Sequence, residues 1–143
     1  MKSWSRLLFP VIAFSLLSCG DLERLPTDPG GEEPPDPTAT FARVQVEVFN
    51  PSCTFAGCHG SVAPQQQLTL TAGTAHANIV NRQSTESALL RVLPGSPAAS
   101  YLYLKITGAP GITGDRMPQG LPPLADDKIR LVRDWIRRGA PND

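Results

Sequence analysis

The sequence is poor in the residues that most often carry chemistry. Of 143 residues only 3 are cysteine, 2 histidine and 2 methionine, and aromatic residues make up 6%. It contains no G-x-S-x-G turn, no Gly-rich phosphate loop and no H-E-x-x-H, so nothing points to a serine hydrolase, a nucleotide-binding enzyme or a zinc protease. Charge of one sign is lacking too, since 13 basic residues balance 13 acidic ones. From Thr40 onward ten bases face seven acids, too slight an excess to suggest nucleic acid. The longest apolar run, "LLFPVIAFSLL" from Leu7 to Leu17, falls short of the ~20 residues that a membrane span needs, and Pro10 interrupts it. No internal repeat is visible.

What is present begins at the start of the chain. Lys2 and Arg6 precede that apolar run, the layout of a secretory signal peptide. The run ends in "LLSCG", Leu16 to Gly20, which resembles the lipobox of bacterial lipoproteins. The reading is a signal over residues 1–18 and a lipidated Cys19 that anchors the exported protein to a membrane of the cell envelope, facing periplasm or cell surface. An ordinary secretory signal with a chance cysteine is the plainer alternative. Residues 19–39 are acidic and proline-rich, with Pro26, Pro29, Pro34, Pro35 and Pro37, and read as an extended tether. Residues 40–143 remain as one domain.

Within that domain the last helix is the clearest element. In "ADDKIRLVRDWIRRG" Ile129, Val132, Trp135 and Ile136 recur at helical spacing. Asp126 and Asp127 sit in the first turn, Arg137 and Arg138 in the last, and Gly139 follows as the stop, all favourable to the helix dipole. "TFARVQVEVFNP" is ambiguous. Phe41, Val44, Val48 and Phe49 fit a helix, while Val44, Val46 and Val48 alternate as a strand would, and Pro51 is expected to end either. Two short helices are expected after Thr74 and Ser100, the second stopping at Gly108. Gly108 to Pro123 is a long Gly/Pro-rich loop, and loops of that length in small domains are usually functional or disordered.

The chemistry concentrates in "CTFAGCHG", Cys53 to Gly60. C-x-x-x-x-C-H is two residues longer than the C-x-x-C-H of covalent haem attachment. Export to an oxidising compartment also allows Cys53 and Cys58 to close a disulfide, four intervening residues being enough. Zinc on Cys53, Cys58 and His59 would need a fourth ligand, with only His76 or an Asp on hand. Haem attachment would use both thiols and place the adjacent His59 on iron. A second axial donor would then come from Met117 or His76. Met117, the only methionine after the signal, lies beside Arg116 and Pro118 in the Gly/Pro loop. A core this small also profits from a cofactor staple.

Taken together, "FNPSCTFAGCHG", "LTLTAGTAHANIV", "RVLPGSPAASYLYLKITG" and "DRMPQGLPPLADDKIRLVRDWIRRGAP" resemble the small c-type cytochrome domains of exported bacterial proteins, including the planctomycete-type cytochrome c group. The resemblance spans nearly all of residues 40–140. It implies an all-α, cytochrome c-like fold of three to five short helices with long loops around one haem c. It implies thioether links at Cys53 and Cys58, iron ligation by His59 and Met117, and a first element that is a helix packed on the last. The wider cysteine interval departs from the common motif, Ala125 stands where relatives often have a Ser cap, and His76 stands where an aromatic is usual.

The expectation is a membrane-tethered monohaem cytochrome that transfers single electrons to a redox partner protein, without catalysis of its own. It could also serve as the electron-entry part of a larger oxidoreductase complex. Arg116, Pro118, Tyr101 and Trp135 are the expected haem-pocket residues. Leu68, Leu70, Ile79, Val80, Leu102, Leu104, Ile106 and Ile136 are expected to complete pocket and core. The rival is a haem-less, disulfide-closed binding or structural module on the same lipidated stalk.

Overall fold

The structure is a computed structural model and describes residues 33–143. The stretch read as a signal peptide, Cys19 and most of the expected tether lie outside the described residues.

The ambiguous first element is helical. We call it α1, a composite of an α-helical turn Phe41–Val44, a π-helical segment Gln45–Phe49 and a final turn Asn50–Ser52. Thr40 caps it, its Oγ1 accepting from the Arg43 N–H at 3.2 Å. Phe41, Val44, Val48 and Phe49 are buried, whereas Val46 is 65% exposed. The valine alternation is therefore overruled by burial, because only the helical set forms one apolar face. Pro51 does not end the element, which continues to Ser52. It falls in the closing turn Asn50–Ser52, and the helix runs one residue past it.

The remaining helices are α2 (Ala75–Ile79), α3 (Tyr101–Thr107) and α4 (Asp126–Arg137). Gly108 ends α3 at φ 69° and Gly139 follows α4 at φ 95°, left-handed positions that glycine takes without strain. Thr74 and Ser100 stand at the cap positions of α2 and α3, but neither hydroxyl caps. Thr74 Oγ1 donates to Thr71 O at 3.2 Å and Ser100 Oγ to Ser96 O at 2.7 Å, so each satisfies the turn before it. Ala125 likewise gives α4 no side-chain cap. Among the described residues extended pairing amounts to three isolated bridges, Val80 with Val92, Gln83 with Leu90, and Leu90 with Ser100. The class is all-α. No described helix is long and apolar enough to cross a membrane.

α1 packs on α4. The Phe41 and Trp135 rings lie 5.4 Å apart, and Phe49 meets Phe41 edge-on at 6.3 Å. Trp135 is fully buried and its Nε1–H donates to Pro141 O at 2.9 Å, so its one polar atom is satisfied. Leu70, Ile79, Ile106 and Ile136 are buried as expected, while Leu68, Val80, Leu102 and Leu104 are only half-buried. Ala39, read as tether, is fully buried in the core, and the compact unit runs from Glu33. The short turn in which the Asp36 carboxylate accepts from the Thr38 N–H at 2.8 Å leads the chain inward there, and proline content alone does not reveal it.

Candidate functional site

The segment after α1 folds back on itself. The Cys53 N–H donates to Phe49 O at 2.9 Å, tying that cysteine to the helix end. The His59 N–H then donates to Cys53 O at 3.0 Å, which draws the histidine to the first cysteine despite the longer interval. Gly60 follows where a Cβ would come within 2.9 Å of Thr54 O and 3.3 Å of Phe55 O. The fold-back is closed by backbone on both sides, and only glycine fits between them.

His59 is held in a defined tautomer. Its Nδ1 lies 3.1 Å from Leu68 O, and a carbonyl can only accept, so Nδ1 carries the proton. Nε2 is left with a lone pair, the form that ligates a metal, with its ring fixed from behind by a carbonyl. Burial, first among the causes, pushes the His59 pKa below its ordinary value and favours that neutral state. The two cysteines differ sharply. Burial pushes the Cys53 thiol up to about 12, with the neighbouring Cys58 adding to the effect, and its Sγ faces Val48 O at 3.8 Å. Cys58 is exposed. Both are free thiols in this structure.

Cys53, Cys58, His59 and Met117 all line one cavity of about 510 Å³. Phe49, Leu68, Leu70, Leu102, Ile106 and Leu121 supply much of its apolar wall. The volume lies within the ~300–1,000 Å³ typical of ligand and cofactor sites. Met117 reaches the cavity from the Gly/Pro loop, its backbone N–H donating to Lys105 O at 2.8 Å. Pro118 and Tyr101 line the same cavity, as expected.

Three expected residues stand elsewhere. Trp135 belongs to the core between α1 and α4 and does not line the cavity. Arg116 turns away against Gly108, where an added Cβ would meet its Cδ at 2.9 Å. His76, the alternative axial donor, is spent on the fold, because its Nε2–H donates to Ala140 O at 2.9 Å and its ring packs edge-on against Phe41 at 5.0 Å. Its helical position among alanines did not reveal that the chain beyond α4 returns to it. Among the described residues no group of three His, Cys, Asp or Glu side chains is placed to hold a metal ion, so the zinc arrangement has no support.

Sequence reasoning missed the polar part of the wall, which includes Glu86, Arg91, Lys105 and Thr113. The one available signal was Lys105 itself, a charged residue on the apolar helix "SYLYLKITG", one turn after Tyr101. Arg91 spans two segments, donating from Nη1 to Asn78 O at 2.9 Å and from Nη2 to Gln66 O at 3.1 Å.

No family model, no curated protein and no solved structure matches this chain.

Proposed function

We propose that this protein is a monohaem c-type cytochrome, lipid-anchored through Cys19 in the bacterial cell envelope, that passes single electrons to a partner protein. The observation that carries the reading is the meeting of four donors at one apolar cavity. Two thiols and an imidazole come from the segment after α1, and a thioether comes from the loop before α4.

The donor set fits haem c. Cys53 and Cys58 would hold the haem through thioether links made by adding their thiols to its vinyl groups, and His59 Nε2 and Met117 Sδ would be the donors to its iron. The Leu68 carbonyl fixes which His59 nitrogen is available, and the apolar part of the wall suits a flat hydrophobic macrocycle. When bound, the haem supplies a one-electron change at iron. His/Met ligation tends to raise its potential and leaves no open coordination position for a substrate, which favours electron transfer over catalysis. The all-α architecture, with its first helix packed on its last and its long loops facing the cavity, agrees with a small cytochrome c-like fold.

The test is haem staining of the mature protein on a denaturing gel after expression in a host with haem-attachment machinery. A pyridine haemochrome spectrum would follow. A stained band is expected, with a haemochrome position that reports two thioether bonds. In the oxidised protein a sulfur-to-iron charge-transfer band is expected near the red end of the spectrum, and Met117→Ala should abolish it. An unstained band together with a mass two hydrogens short would instead establish a Cys53–Cys58 disulfide, and the protein would be a binding module on a stalk.

A further inference from the structure

One wall of the cavity is a closed ring of hydrogen bonds. Tyr101 and Lys105 lie on one face of α3, four residues apart, and both are buried. Tyr101 OH donates to Glu86 Oε2 at 3.1 Å, and Lys105 Nζ pairs with the same oxygen at 3.5 Å. The two side chains meet again at Thr113. The Thr113 N–H donates to Tyr101 OH at 3.0 Å, and Lys105 Nζ donates to Thr113 O at 2.7 Å. Thr113 Oγ1 completes the attachment by donating to Glu86 O at 3.2 Å.

Thr113 sits in the Gly/Pro loop, four residues before Met117. Both backbone groups and the hydroxyl of this one loop residue are held by the ring, and the Met117 N–H is held by Lys105 O. A loop of this composition has little intrinsic order, and hydrogen bonds to charged groups are among the stronger ones. Placing a charged pair in the wall of an apolar cavity is costly unless every partner is satisfied. Here the partners are met by the loop itself.

We infer that the Glu86–Tyr101–Lys105 ring is a clamp that positions the Met117 loop over the cavity, so that these three residues hold the distal methionine in ligating range. The inference rests on the cytochrome reading for its consequence at iron, but the clamping of the loop stands apart from it. Lys105 and Tyr101 are positioning residues, acting on the metal only through Met117. When the clamp is broken, the haem stays attached through the cysteines while the sulfur ligand is released. A merely structural lysine would not separate those two outcomes.

The experiment uses the full chain with Tyr101→Phe, Lys105→Met and Lys105→Arg. In the two variants that lose a donor, haem stain should persist while the sulfur-to-iron band loses most of its intensity and the reduction potential falls. Lys105→Arg, which keeps the charge and donors, should recover much of the band. Amide exchange at Thr113 and Met117 should quicken roughly ten- to hundredfold in Tyr101→Phe and Lys105→Met, the factor given by one lost hydrogen bond of this class. Should Lys105→Met fail to fold, Tyr101→Phe removes a single hydroxyl and reads the same quantities. An unstained parent with faster exchange in the variants would keep the clamp and remove the haem. A stained parent whose variants keep band, potential and exchange rate would overturn the clamp.

Discussion

The Phe41 backbone N–H donates to Asp143 Oδ1 at 2.8 Å, a bond between residues 102 positions apart. The Ala42 N–H donates to the backbone oxygen of Asp143 at 2.8 Å, and Arg138 Nη2 pairs with Asp143 Oδ2 at 3.0 Å. The opening N–H groups of α1 are thus capped partly by Thr40 and partly by a residue beyond α4, which adds a second tie to the aromatic contact between the two helices.

Asp143→Ala should therefore destabilise the domain by ~1 kcal/mol, the usual worth of an N-terminal cap, and Asp143→Asn by less. Thermal unfolding followed by circular dichroism measures both. The Phe41 N–H, first among the causes, holds the Asp143 carboxyl below its ordinary 3.8. A depressed carboxyl contributes fully above that value and less as pH falls through the folded one. The gap between parent and Asp143→Asn should accordingly narrow in acid.

Glu47 ties α1 to α4 in the same sense. Its carboxylate pairs with Arg43 Nε at 2.8 Å and with Lys128 Nζ at 2.8 Å. These hydrogen bonds, that of Arg43 first, lower its pKa from 4.5 to about 2. The unfolded chain binds the proton more readily, so stability rises with pH across that window and is lost as pH falls from about 4.5 towards about 2. Urea unfolding of Glu47→Gln across this range should show a flatter acid limb than the parent. The difference at neutral pH should shrink with added salt.

The free thiols of Cys53 and Cys58 should react in order. Cys58 is exposed, while burial pushes the Cys53 thiol up to about 12, which leaves almost no thiolate at neutral pH. Timed alkylation of reduced protein, read by peptide mass spectrometry, should label Cys58 first and Cys53, half-buried in the cavity wall, more slowly. Equal rates would mean that Cys53 is not held against the Val48 carbonyl.

The phase of α1 is open to direct trial. Val46→Glu should shift stability by no more than about 0.5 kcal/mol, as surface changes do. Val48→Glu buries a charge in the core and should prevent folding or cost several kcal/mol. Similar costs at both positions would argue for the strand-like alternation. Denaturant titration decides between them.

Much of the fold was legible because the helical periods are strong. Ile129, Val132, Trp135 and Ile136 announced α4, and Gly108 and Gly139 marked stops that the backbone takes up. Cys53, Cys58, His59 and Met117, which line one cavity, could be picked out because the chain is so short of Cys, His and Met. What stayed hidden was the set by long-range contacts. His76 looked available until the Ala140 carbonyl claimed it, and Arg116 looked like a pocket residue until Gly108 gave it a seat. The Lys105 clamp depends on residues from three separate segments, and no local pattern brings Glu86, Lys105 and Thr113 together. Gln45 is a similar case, a buried glutamine whose Nε2 donates to Asn50 Oδ1 at 2.7 Å and Leu70 O at 2.9 Å.

The π-helical segment Gln45–Phe49 gives α1 two bearings. Ahead of it Phe41 and Val44 pack in the core with α4, while Phe49 at its end and Ser52 and Cys53 behind it line the cavity. A widened turn amounts to one residue added to a regular helix, and each residue of an α-helix turns by about 100°. Wound as ordinary α-helix with no residue removed, the same sequence would swing everything after the widened turn by that angle. The compass heading of the first cysteine is thus written upstream of the motif, in a turn that has no ligand in it.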